Sequence, residues 1–166
     1  MKKTISVLLM SVLSMVVVNL THAQATATQT LTLAVNAVYQ ISTSGNPSPL
    51  TITTGSAGSD NLTAVTDNST TYSMTQNYGN TVKITANLNS VLASGYTLKV
   101  ALGSTKGTSA GSIDISNATS GSAVNVVTGI QKGADAGQQI TYTFSALASA
   151  GTMTSNSKTV TLTLTN

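Results

Sequence analysis

Cysteine, tryptophan, arginine and glutamate are missing from the 166-residue chain altogether, and His22 is its only histidine. Without cysteine there is no disulfide and no thiolate nucleophile, so the fold must rest on core burial or on contacts with other molecules. Zinc and copper sites would lack their usual His and Cys ligands. General acid–base catalysis draws mostly on His and Glu, and nucleophilic catalysis needs an activating base. Charged residues make up only 7% of the chain, so threonine, serine, asparagine and glutamine must supply most of the solvated surface. These absences predict a protein that is not an enzyme and carries no metal or cofactor.

What is present begins with a leader. Lys2 and Lys3 precede an apolar run over residues 5–20, and Thr21-His22-Ala23 supplies small residues at the positions a signal peptidase reads. This is the pattern of a secretory signal peptide over residues 1–23, a helix to be cleaved after Ala23. Residues 24–166 then form one domain. The expected destination is outside the inner membrane: periplasm, cell surface or medium, with no membrane span after cleavage. The leader takes His22 and two lysines with it. Lys83, Lys99, Lys106, Lys132 and Lys158 remain against Asp60, Asp67, Asp114 and Asp135. No clustered basic patch survives, which excludes nucleic acid as a partner.

Apolar residues in the remaining chain recur with period two, the mark of half-buried strands. Leu31, Leu33, Val35, Ala37, Tyr39 and Ile41 share one face from about residue 28 to 41, a stretch long for a single strand. Further strands are expected at Leu50-Thr51-Ile52, at 62–66, at Tyr72/Met74, at Val82/Ile84/Ala86/Leu88 and at Tyr96/Leu98/Val100/Leu102. Ile113/Ile115, residues 124–130, Ile140/Tyr142/Phe144 and Val160/Leu162/Leu164 complete the set, with residues 103–112 read as a polar loop. One short helical turn fits residues 146–150. These segments, read as eight or nine short strands separated by turn residues, predict an all-β fold. The expected architecture is a single antiparallel β-sandwich, immunoglobulin-like or jelly-roll.

Candidate chemical motifs dissolve on inspection. Ser155 and Lys158 match S-x-x-K, and Ser59-Asp60-Asn61 matches S-D-N, but the order is reversed and Val follows Lys158-Thr159 where Gly is required. Asp60, Asn61, Asp67 and Asn68 could contribute oxygens to calcium, yet no EF-hand spacing is present and such pairs ordinarily form turns. Gly103-Ser-Thr-Lys106-Gly lacks the phosphate-loop spacing. Asn61, Asn68 and Asn117 stand in N-x-[ST] sequons, incidental in a chain this rich in Ser and Thr. Tyr39, Tyr72, Tyr96 and Tyr142 lie on apolar faces and read as core. Tyr78, in the Asn-rich turn, is the best candidate for an exposed aromatic.

Four stretches carry a resemblance: TLTLAVNAVYQI at 30–41, VKITANL at 82–88 with ASGYTLKV at 93–100, VVTGI at 126–130, and VTLTLT at 160–165. They are similar to a group of small, secreted, cysteine-free β-sandwich proteins of Gram-negative bacteria. More loosely, they resemble the cysteine-free alpha-class fimbrial subunits. The second resemblance implies that residues 24–37 are a donor-strand arm. Leu31, Leu33, Val35 and Ala37 would insert into another subunit after a periplasmic chaperone has held the chain. Two other arrangements stay open: pairing of the arm with its own domain, and one long strand shared between both sheets. The function expected is a non-catalytic structural or adhesive subunit that self-associates, or joins a related subunit, by β-strand addition. The alternative is a monomeric surface-binding module for a glycan, ice or another ligand.

Overall fold

In the computed structural model, residues 25–79 and 81–166 are described, and the expected signal peptide lies outside them. The chain divides into residues 1–34 and Val35–Asn166. Among the described residues, no helix is long and apolar enough to cross a membrane.

The second unit is an antiparallel β-sandwich. Its strands are β1 (Tyr39–Thr43), β2 (Val65–Gln76), β3 (Val82–Leu88), β4 (Tyr96–Leu102), β5 (Thr108–Ser109), β6 (Ile113–Asp114), β7 (Val124–Ile130), β8 (Gly133–Ala146) and β9 (Val160–Thr165). One sheet runs β1-β2-β8-β4-β6 and the other β5-β7-β3-β9. A 3-10 turn, Ala148–Ala150, falls where the sequence allows one.

Alternation builds the core directly. In β3, Val82, Ile84, Ala86 and Leu88 point inward and are buried, while Lys83, Thr85 and Asn87 between them are half-exposed. Leu98, Val100 and Leu102 of β4 face them from the other sheet, with Tyr72 and Met74 of β2 and Ile140 and Tyr142 of β8. These side chains form one cluster, as a sandwich without disulfides requires.

Period two breaks in β7, where Val126 and Val127 are both buried. The β3–β7 register explains it. Ile84 pairs with Val127 but Thr85 with Asn125, which leaves Val126 as an extra residue. A second extra residue lies between the pairs Val82–Ile130 and Ile84–Val127, where Gly129 takes φ +64°. Bulges of this kind admit a left-handed glycine at no steric cost.

Three expectations are corrected. The first strand begins at Tyr39, so residues 28–38 belong to no ladder, and the reading of one strand shared between both sheets fails. Tyr39 pairs with Gln76, the last residue of β2, so the ladder stops there. Leu50-Thr51-Ile52 is not a strand, although Leu50 packs on the core. Conversely, the loop expected over 103–112 contains β5, too short and too polar to show a period.

Replacing Ile84, fully buried in the central strand of its sheet, should test this core. Ile84→Ala should lower unfolding free energy by about 2–5 kcal/mol in urea titration.

Candidate functional site

Two places hold groups that could act: a buried carboxylate, and the unpaired side of the sandwich.

Asp135, in β8, is only 2% exposed. Its carboxylate accepts hydrogen bonds from Ser104 Oγ, Thr105 N and Thr105 Oγ1, each at 2.8 Å, and from Lys106 N at 3.2 Å. Ser104 Oγ in turn accepts from Lys106 N and Gly107 N. Tyr72 closes the corner by donating to Gly103 O at 2.6 Å. Burial alone would raise the Asp135 pKa, but the hydroxyls of Thr105 and Ser104, with the Thr105 and Lys106 amides, hold it below the ordinary value. Burial pushes the Tyr72 phenol up to about 12, helped by the Asp135 charge and opposed by a Ser104 hydrogen bond. The loop over residues 103–107, without the phosphate-loop spacing, nonetheless wraps an anion. That anion is the protein's own side chain.

Gly107 shows how tightly the corner is drawn. A Cβ there would lie 2.8 Å from Thr128 O and 2.8 Å from Ile130 Cγ1, so no larger residue fits without displacing backbone. Every donor at Asp135 belongs to the loop carrying the chain from β4 to β5 in the opposite sheet, so its role is to fasten the two sheets together.

The remaining polar candidates are also engaged. Asp60 accepts from Ser149 N at 2.7 Å and Ser149 Oγ at 2.8 Å, capping the 3-10 turn. Lys158 donates to Ser90 Oγ and Val91 O. Ser59 bonds with Asn61, and Asp67 accepts from Ser69, whose hydroxyl holds the Asp67 pKa below its ordinary value. Asp60, Lys158, Ser59, Asn61 and Asp67, drawn from the S-x-x-K, S-D-N and calcium readings, are therefore each engaged by a partner within the domain. Among the described residues, no three of His, Cys, Asp and Glu gather in one place.

The lateral sides of the sandwich differ. On one side the sheets end in β5 and β6, two residues each, which blunts their edges. On the other side they end in β1 and in β9, which run close together. Strand β9 pairs along its full length with β3, from Lys83–Thr165 to Leu88–Val160. Its opposite edge has no ladder partner among the described residues. The inward row of β9, Val160, Leu162 and Leu164, is only partly buried, as are Tyr39 and Ile41 of β1.

The four residues singled out from sequence are all exposed. Leu31, Leu33 and Val35 stand 78%, 82% and 86% exposed, and Ala37 is exposed beside them. Leu31, Leu33 and Val35 follow one another two residues apart, the spacing of Val160, Leu162 and Leu164. Tyr78 is 52% exposed, as expected, but its ring packs against Tyr39 at 5.7 Å between centroids. Sequence reasoning missed Asn77, whose side-chain amide accepts from Val38 N at 2.7 Å and donates to Asn36 O at 2.9 Å. Nothing in the local pattern separates it from the other turn asparagines.

The fold and this edge define an all-β sandwich whose β9 and β1 borders are left without strand partners among the described residues. No protein-family model matches the chain, and no curated protein matches it.

The Asp135 corner makes a pH prediction. A carboxylate whose pKa is lowered by folding contributes its stability fully above the ordinary value, and that contribution is lost as pH falls through the lowered one. Asp135→Asn should cost about 1–3 kcal/mol at neutral pH, because buried donors lose a charged acceptor. In urea titrations, the gap between wild type and variant should narrow as pH drops below about 4. Comparing the two proteins cancels the parallel acid response of Asp67.

Proposed function

We propose that this protein is a non-catalytic structural subunit that associates by β-strand addition, the arm at 24–37 of one copy pairing with the free edge of β9 in a second copy. The observation that carries the reading is the match between two incomplete surfaces. Among the described residues, Leu31, Leu33 and Val35 offer an exposed apolar row in a stretch without a strand partner, and Val160, Leu162 and Leu164 form an equally spaced row at an edge without one. In strand addition, backbone ladders provide affinity and alternate side chains fill pockets.

Magnitudes favour a cooperative contact. Burying three Leu/Val side chains gains roughly 5–9 kcal/mol gross at about 1.5–3 kcal/mol each. Association costs about 4–15 kcal/mol, so apolar burial alone is marginal. The ladder along β9 must form as well, at about 0.5–1.5 kcal/mol net per hydrogen bond. Donor and acceptor are different surfaces, so the contact is heterologous and propagates into a filament unless the rotation closes.

The signal-peptide pattern at 1–23 supports export, and with it a place in the periplasm, on the cell surface or outside. Such a subunit would need its arm or its β9 edge covered before assembly, the task of a periplasmic chaperone. A role in adhesion or in a fimbrium accords with this scheme.

Electron microscopy and sizing of the chain beginning at Gln24 test it. Assemblies that grow with concentration are expected, and deleting residues 24–34 should leave a monomer with an unchanged thermal midpoint. A wild-type chain that stays a sharp monomer at high concentration, or a deletion variant that still assembles, would refute the proposal.

A further inference from the structure

The strand-addition reading leaves open whether an arm covers the β9 edge of its own molecule or of another, and Asn77 bears on that choice. An extended chain points the C=O of one residue and the N–H of the residue two further on to the same side. At 36–38 these groups are Asn36 O and Val38 N, and the Asn77 amide meets both, with the Asn77 backbone N–H reaching Val38 O at 3.4 Å. One side chain supplies an acceptor and a donor where the next residue of a neighbouring strand would have stood.

Asn77 is itself firmly placed. Gln76, 1% exposed, donates from Nε2 to Gly79 O at 2.9 Å and to Ile130 O at 3.0 Å. Its Oε1 accepts from Tyr78 N and Gly79 N. The turn that carries Asn77 is therefore anchored to the end of β7, and the Tyr39–Tyr78 contact packs beside it.

Topology shows what this clamp prevents. Tyr39 lies opposite Gln76 at the end of β2. A short turn leads to β3, whose first residues lie opposite the end of β9 at Thr165. The start of β1 and the end of β9 thus share one end of the sandwich, and the two strands run antiparallel. For residues 28–35 to lie on their own β9 or β1 edge, the chain must reverse between Val35 and Tyr39. Reversals favour Gly, Pro, Asn or Asp, and Asn36 is the only such residue there. Its carbonyl is the group Asn77 holds.

We infer that Asn77 is the pin that keeps the arm from folding back, so that strand addition occurs between two copies of this chain and not within one. Such a device is needed because an arm on a short tether has an effective concentration on the order of millimolar. If it were free to reverse, it would outcompete any second copy present at micromolar concentration.

The test combines Asn77→Ala with Ala37→Gly, which releases the clamp and puts glycine after Asn36, the pair favoured in two-residue hairpin turns. Sizing across a concentration series, with amide hydrogen exchange over residues 28–35, reads the outcome. In wild type, assembly and arm protection should rise together with concentration. In the double variant, the concentration needed for assembly should rise by roughly tenfold or more, and the arm should be protected even in the monomer. Asn77→Asp, which keeps the acceptor for Val38 N but loses the donor for Asn36 O, should fall between them and serves if the double variant does not fold.

If wild type assembles and the variants assemble identically, the pin is refuted while strand addition stands. If wild type is monomeric with a protected arm at every concentration, the arm pairs at home and the pin is likewise refuted. If wild type is monomeric with an unprotected arm, strand addition itself fails, and the inference with it.

Discussion

A β-strand has two edges, and each carries N–H and C=O groups that need partners, with side chains on one face that need cover. In this sandwich the requirement is met across the middle of both sheets and at one side, where β5 and β6 shrink the exposed edge to two residues each. At the other side it is not met among the described residues. Strand β9 has six residues, one ladder and a half-covered apolar row. The proposed association follows from that asymmetry, because an open strand edge is a template on which another chain can pair.

The sandwich also holds itself together with almost no charge. Where another protein would use an ion pair or a disulfide, this one uses amides and hydroxyls. Gln76 organises a turn, Asn77 holds the backbone just ahead of β1, and Ser104 and Thr105 surround the carboxylate of Asp135. The pattern suits a composition in which Thr, Ser, Asn and Gln dominate the polar surface. Being neutral, these groups make bonds that depend little on salt. Asp135 is the exception in charge but not in logic, since its partners are all neutral donors.

Much of this was legible in the residues. Strands β3, β4 and β9 lie where period-two alternation places them, because each has one face on the core and the other turned outward. Tyr72 and Tyr142 are buried, and Tyr78 is exposed. The alternation at 28–38 misled for the same reason it succeeded elsewhere: it reports that a segment is amphipathic, not that a neighbouring strand lies within reach. Val126 and Val127 break the period because of a bulge, which depends on the partner strand's register. Asp135 gave no signal at all, since the loop it binds lies some thirty residues away in the chain.

The chain's own order of residues therefore determined the all-β class, the composition of the core, and the scarcity of groups able to do chemistry. Those properties are local or additive, set by side-chain type and by spacing along one strand. Only the tertiary structure decided which edge stays open, which asparagine clamps Asn36 and Val38, and which aspartate is buried. Each of these depends on what lies across a gap in space, and pairing between distant segments leaves no periodic trace in either segment alone.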